Sequence, residues 1–238
     1  MANENRYQGK LFSILGDSIS TLEDWNPDGY RVFYYGQRCT QSGVHQVEDT
    51  WWGKVLSHFD GQLLVNNSWS GSRVTRLPAA SRLFPSGCSD ERTAGLHTEK
   101  ARPDVIIIYL GINDYISGTR DETEVRPDYA DDMDYFSTAY AAMLKKLRGN
   151  YPSAEIWCCT LPPSCIASYP AFRYPTEYEG RFAESYNRAI RTSAETYQCR
   201  LLDLYALQTP YDSIDGTHPT KAGMTTLANL IIRCVSSE

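Results

Sequence analysis

The run Val105-Ile106-Ile107-Ile108-Tyr109-Leu110 is apolar at every position, rich in β-branched residues and free of alternation. Such a run fits a strand covered on both faces, the situation of a parallel strand in the middle of a sheet. Leu11 to Leu15 and Gln62 to Val65 are shorter apolar runs that end in Gly16-Asp17-Ser18 and in Asn66-Asn67, and both read as strands feeding loops. Glu155 to Cys159 and Arg200 to Leu204 complete a sheet of about five strands. Between the runs the apolar period becomes helical. Trp52, Val55, Leu56 and Phe59 share one face, and Met133, Phe136, Tyr140, Met143, Leu144 and Leu147 another. Phe182, Tyr186, Ile190 and Tyr197 form a third stripe. Thr220 is placed to cap a last helix carrying Met224, Leu227, Ile231 and Cys234. Strands alternating with helices of this length specify right-handed crossovers, so the expectation is an α/β protein, a three-layer α/β/α sandwich with its loops meeting at the strand C-terminal ends.

A chain of 238 residues fits one domain, 1–238, burying about 70% of its extended-chain surface. The formal charge of -6 argues against a nucleic-acid surface. The polar N-terminus lacks an apolar signal segment, and no stretch approaches the ~20 apolar residues of a membrane span. No membrane partner is therefore expected. Seven cysteines without CxxC spacing read as reduced thiols in a cytoplasmic protein, with a disulfide between some pair as the alternative. His45, His58 and His97 have no acidic or cysteine partner at ligand spacing, so no metal site is expected. Oligomeric state is open, with a homo-oligomer one option. Three segments, Thr21 to Glu48, Leu77 to Pro103 and Pro162 to Glu179, fall outside the strand and helix pattern and are assigned to lids and pocket walls.

Ser18 follows a strand and a glycine, which places its hydroxyl at an open edge where the chain turns away from the sheet. A serine hydroxyl attacking a carbonyl needs a base, and histidine accepts and returns a proton near neutral pH. His218, in Asp215-Gly216-Thr217-His218-Pro219, is the best placed of the four histidines. Asp215 lies where a tight loop can bring its carboxylate to Nδ1 while Nε2 faces the serine. The Ser18 amide, the Gly71 amide and the Asn113 side-chain amide are candidate donors to an oxyanion; losing one such donor costs about 3 kcal/mol of transition-state stabilisation. Asp17 is expected to hold the serine loop through backbone hydrogens, and Asp114 to support its own loop.

These blocks, LGDSIS with Ser18, NNSWSGS with Gly71, LGIND with Asn113 and DGTHPT with Asp215 and His218, resemble the SGNH hydrolase superfamily, or GDSL-like lipases and acylhydrolases. The resemblance runs from residue 11 to about residue 235. GxND and DGxHP in this order are specific, whereas GDS alone would be weak. The resemblance implies a flavodoxin-like fold, hydrolysis of esters or thioesters through an acyl-enzyme without metal or organic cofactor, and oxyanion roles for Ser18, Gly71 and Asn113. The chain departs from the pattern after the serine, where a glycine is common and Ser20-Thr21-Leu22-Glu23-Asp24-Trp25 stands. The departure bears on pocket shape rather than on the reaction.

Trp25, Tyr30, Phe33, Tyr34, Tyr35 and Trp69 cluster in or beside loops, where they form either an aromatic platform for a sugar ring or part of the core. Asp17, Trp25, Trp69 and Arg173 are candidate substrate contacts, Arg173 from the run Tyr169 to Pro175. The absence of a long apolar acyl channel points to a short-chain ester, foremost an acetylated oligosaccharide, with small esters, lipids and thioesters as alternatives. A non-catalytic binding module on the same fold is the contrasting class; it would tolerate loss of Ser18 or His218.

Overall fold

The computed structural model describes residues 5–76, 84–116 and 133–236. Five parallel strands make the central sheet: β1 (Leu11–Gly16), β2 (Gln62–Ser68), β3 (Val105–Tyr109), β4 (Glu155–Cys159) and, after three two-residue strands, β8 (Arg200–Leu202). The short ones are β5 (Ser164–Cys165), β6 (Glu177–Tyr178) and β7 (Arg181–Phe182); β5 pairs with β9 (Tyr211–Asp212), and β6 with β7. Strand order across the sheet is β2-β1-β3-β4-β8. All five residues of β3 are buried, which is why its sequence shows no alternation. Edge positions are more exposed, as at Gln62 and Leu201.

The helices are α1 (Gly36–Ser42), α2 (Trp51–Phe59), α3 (Asp90–Ala94), α4 (Ile112–Ile116), α5 (Phe136–Asn150), α6 (Ala183–Thr196) and α7 (Lys221–Ser236). Packing pairs α2 with α7, and α5 with both α3 and α6. Local signals set their ends. Thr50 caps α2 by accepting from Gly53 N–H at 2.9 Å, and Thr220 caps α7 by accepting from Gly223 N–H at 3.2 Å. Met133 lies in a turn ahead of α5, and Phe182 and Tyr197 flank α6 rather than belonging to it. Among the described residues no helix is long and apolar enough to cross a membrane.

Two boundaries differ from expectation. β2 continues through Asn66, Asn67 and Ser68, all buried, because partners across the chain satisfy their polar groups: Asn66 Nδ2 donates to Ser20 O at 2.8 Å, and Asn67 Oδ1 accepts from Arg92 Nε at 2.6 Å. β8 ends at Leu202, and residues 205–207 form a single turn of 3₁₀ helix. Of the segments assigned to walls, Thr21 to Glu48 contains α1 and Leu77 to Pro103 contains α3, while residues 77–83 lie outside the described residues.

The order reverses direction between β1 and β3: the chain steps from β1 out to β2, then returns past β1 to build β3, β4 and β8 on the other side. Adjacent loops diverge at such a switch point and leave a crevice at the strand C-terminal ends. Gly16, the last residue of β1, is in register with Ser68 on β2 and Tyr109 on β3, so the loops bearing Ser18, Gly71 and Asn113 leave the sheet side by side.

Candidate active site

Past Gly16 the chain turns at once into a 3₁₀ turn, Ser18–Ser20. A side chain at residue 16 would have no room, since its Cβ would lie 2.7 Å from Ser20 Oγ and 2.8 Å from Ser68 Oγ. Asp17 caps the turn, Oδ1 accepting from Ile19 N–H at 3.0 Å. Ser20 is anchored from α2, its hydroxyl accepting from Trp51 Nε1 at 3.2 Å and its carbonyl from Trp52 Nε1 at 3.0 Å. The serine loop is therefore fixed on both sides of Ser18.

The second half of the site comes from the loop before α7. His218 Nε2 lies 2.9 Å from Ser18 Oγ, and its Nδ1 lies 2.7 Å from Asp215 Oδ2. A carboxylate only accepts, so Nδ1 carries the hydrogen and Nε2 is the acceptor facing the serine hydroxyl. Asp215 Oδ1 also accepts from the backbone of Thr217 at 3.0 Å and of His218 at 2.8 Å. Partial burial pushes the Asp215 carboxyl up, but the bonds from the His218 ring, His218 N–H and Thr217 N–H outweigh it and pull it down to about 2. It is therefore ionised throughout the neutral range.

Four successive carbonyls of this loop are each held by a different donor. Gly216 O accepts from Ser164 Oγ at 2.6 Å, Thr217 O from Tyr211 OH at 2.8 Å, His218 O from Ile214 N–H at 2.9 Å and Pro219 O from Tyr34 OH at 2.9 Å. Burial pushes the Tyr34 and Tyr211 phenols well above their ordinary range, which keeps both as donors.

On the other side, Gly71 has φ +83°, a left-handed value that favours glycine, and sits in a turn closed by Ser72 N–H donating to Trp69 O at 3.0 Å. Asn113 Nδ2 donates to Ser72 O at 3.0 Å. That bond ties the two loops together and uses one of the two amide hydrogens. Asp114 reinforces the tie, accepting from Val74 N–H at 2.8 Å, Thr75 N–H at 3.1 Å and Thr75 Oγ1 at 2.7 Å. Ser18, Gly71, Asn113, Asp215 and His218 thus converge on the crevice at the switch point.

The candidate substrate contacts fare unevenly. Asp17 is 1% exposed with its carboxylate turned to Ile19 N–H, so it supports the serine loop and offers no surface to a substrate. Trp25 packs against Trp52, ring centroids 5.9 Å apart, and lines a hollow of about 360 Å³ with Leu22, Tyr34, Cys39 and His45 but without Ser18 or His218. Arg173 donates to Pro170 O and Phe172 O of its own loop, at 2.7 and 2.8 Å, which holds its guanidinium in place there. Trp69 stays beside the site: its backbone N–H donates to Gly16 O at 3.2 Å and its ring pairs with Tyr30, centroids 4.2 Å apart. The aromatic group divides accordingly, with Tyr34 buried, Tyr35 54% exposed, and Phe33 stacked on the His218 imidazole.

Arg92 is a supporting residue that the sequence conceals. It is fully buried, and its guanidinium donates to Gly16 O and Asn67 O, both at 2.9 Å, and to Asn67 Oδ1. Burial lowers its pKa to about 10, so it remains a cation beneath the serine loop at neutral pH. In Asp90-Glu91-Arg92 it looks like one charge in a solvated turn, and no local signal marks it.

The family model for GDSL-like lipases and acylhydrolases matches residues 10–235. The chain belongs to this family. It is 25% identical over 220 residues to the multidomain esterase of Ruminococcus flavefaciens, the match covering 88% of this chain and 26% of that protein. Over 60 residues it is 37% identical to the cellulase/esterase CelE of Acetivibrio thermocellus, covering 25% of this chain and 6% of that one. The chain therefore spans only a fraction of these two relatives. Among solved structures, a protein assigned as a GDSL-like lipase from Bacteroides ovatus superposes with a TM-score of 0.73 at 25% identity, covering 97% of this chain and all of that one. The native aryl esterase of Mycobacterium smegmatis shares the fold, with a TM-score of 0.60 at 19% identity and coverages of 96% and 99%. The family is one of lipases and acylhydrolases, and both of these relatives carry an esterase name.

Proposed function

We propose that this chain is a serine esterase acting on short-chain acyl esters, foremost O-acetyl groups on carbohydrates. The observation that carries the mechanism is the continuous hydrogen-bonded path from Ser18 Oγ through His218 to Asp215, at 2.9 and 2.7 Å. Ser18 Oγ attacks the ester carbonyl carbon as its proton passes to His218 Nε2, and Asp215 holds the ring and stabilises the imidazolium. The carbonyl oxygen becomes an oxyanion facing the Ser18 and Gly71 amides and the Asn113 side chain. Collapse expels the alcohol, which takes the proton from Nε2. Water then enters by the reverse sequence, giving up its proton to Nε2, and releases the acid with Ser18 restored.

Two features support a sugar as the alcohol. The Tyr30–Trp69 pair offers an aromatic surface next to Gly71, of the kind that stacks on the apolar face of a pyranose. One relative is a cellulase/esterase, which joins ester cleavage to a polysaccharide in that protein. Seven unpaired thiols agree with a cytoplasmic setting, where the substrate would be an imported oligosaccharide.

Acetate release from an acetylated oligosaccharide panel, measured beside p-nitrophenyl esters of increasing chain length, tests the reading. Wild type should release acetate from sugars and favour the shortest aryl ester, and Ser18→Ala should lose at least a thousandfold in kcat while remaining folded. Near-normal turnover by Ser18→Ala would sink the mechanism. Serine-dependent activity confined to aryl or longer acyl esters would move the substrate to small esters or lipids.

A further inference from the structure

Residues 21–35, which begin where the chain departs from the family pattern, touch the loops bearing Ser18, Gly71 and His218. Thr21 Oγ1 donates to Ser18 O at 2.9 Å and accepts from Phe33 N–H at 2.9 Å. Asn26 Nδ2 donates to Ser68 O at 3.0 Å and to Asn66 O at 3.2 Å, and Arg31 O accepts from Ser70 N–H at 2.8 Å. Tyr34 OH reaches Pro219 O. At the centre of this strap the Phe33 ring lies on the His218 imidazole, centroids 3.5 Å apart and planes within 3°. The Arg38 guanidinium carbon is 4.8 Å from the same phenyl centroid. Since the imidazole fills one face of Phe33, the guanidinium takes the other.

We propose that Phe33 is the positioning residue of His218, a planar shelf that confines the imidazole to the plane in which Nε2 meets Ser18 Oγ and Nδ1 meets Asp215. The inference rests on His218 being the base. Three contacts are needed to fix a flat ring against all its motions. The two in-plane hydrogen bonds leave rotation about the line joining them, and a face contact removes it. Two neutral aromatic rings avoid a direct face-to-face sandwich, because like quadrupoles repel. An imidazolium over a phenyl face is attracted. The stack is thus at its strongest when His218 holds the proton taken from Ser18, which is when misorientation would return that proton to the serine instead of the leaving alcohol. Arg38 shields the outer face of Phe33 from water and keeps the phenyl ring from tipping. Thr21 links the shelf to the nucleophile: one hydroxyl bonds both the Ser18 carbonyl and the Phe33 amide, so base and nucleophile are held from the same point.

The test compares Phe33→Leu, Phe33→Ala and Phe33→Tyr on p-nitrophenyl acetate, with Ser18→Ala in parallel and the thermal midpoint of each recorded. Leucine keeps apolar volume without a flat face, so it stays informative where alanine destabilises the loop. We expect Leu and Ala to lower kcat ten- to a hundredfold with KM within threefold, and Tyr to keep kcat within threefold of wild type. Labelling of Ser18 by a fluorophosphonate, which needs the serine proton removed but no alcohol bound, should slow by a similar factor in Leu and Ala alone. A Leu variant with wild-type kcat, a loss confined to KM, or a Tyr variant as slow as Leu would overturn the role of Phe33. If Ser18→Ala is inactive in those cases, only this inference falls; an active Ser18→Ala removes the reading of His218 beneath it.

Discussion

Asp17 is a carboxyl group placed where ionisation is costly. Burial pushes its pKa up to about 7, against the Ile19 N–H bond and the more distant Arg92, with Asp114 adding to the rise. A group that holds its proton more tightly folded than unfolded contributes stability at low pH. That contribution falls as pH rises from the unfolded value near 4 to the folded value near 7, and is constant above. Asn accepts from Ile19 N–H as Asp does and, like a protonated carboxyl, offers a donor on its other atom. The unfolding free energy of Asp17→Asn minus that of wild type should therefore grow with pH between about 4 and 7, by on the order of 4 kcal/mol, and then level. Urea titrations across pH 4 to 8 read this directly, and a flat difference would show that Asp17 ionises freely when folded. The contacts among Ser18, Asp215 and His218 were legible in the sequence because each residue sits in a short local pattern; Asp215 and His218 are three residues apart and need only one loop to meet. Phe33 and Arg92 were not, because what defines them is a partner far along the chain: His218 for one, Gly16 and Asn67 for the other.

Secondary structure was legible wherever burial imposed a period. β3 is buried on both faces and reads as an unbroken apolar run, α2 and α7 read as stripes, and Thr220 reads as the cap of α7. The polar end of β2 was not legible, since asparagines in a strand make sense only once Arg92 and Ser20 are seen to satisfy them. Close approach of backbones is another relation a linear reading misses. At Gly223 a Cβ would lie 1.9 Å from Asp212 O, so the first turn of α7 rests directly on β9. Asp212 in turn accepts from Thr220 Oγ1 at 2.7 Å, binding the cap to the same strand. Gly223→Ala must push α7 off β9 or distort the cap. We expect it to destabilise the protein by about 1–3 kcal/mol, seen as a lower urea midpoint with unchanged slope. Because α7 follows His218 within three residues, the shift should also reduce kcat, whereas Gly149→Ala on α5, where a Cβ meets nothing within 4 Å, should do neither.

Across the whole molecule, the order β2-β1-β3-β4-β8 explains why residues so far apart in the chain form one site. Reversal of winding between β1 and β3 opens the crevice, and parallel strands send all their C-terminal loops to the same edge, so a polar block after each strand suffices to assemble it. The opposite end of the sheet has a different task. Tyr7, Phe12, Phe59 and Trp157 pack there with ring centroids 5.2 to 6.2 Å apart, and Glu155 beside them accepts from Tyr7 OH, Trp157 Nε1, Arg6 and Arg200. The same layering sorts the thiols. Cys88, Cys158 and Cys159 are buried while Cys39, Cys165, Cys199 and Cys234 are half-buried, and all seven are unpaired. Burial pushes the Cys159 thiol far above its ordinary range, and Cys158 likewise, so neither yields a thiolate while folded. A thiol-reactive dye should therefore label at most four cysteines in the native protein and all seven in denaturant without a reducing agent. Labelling of Cys158 and Cys159 should follow the unfolding rate, because β4 carries them through the middle of the core and exposes them only when the sheet opens. Fewer than seven in denaturant would mean a disulfide joins some pair, and prompt labelling of all seven in buffer would mean the sheet opens far more readily than its packing implies.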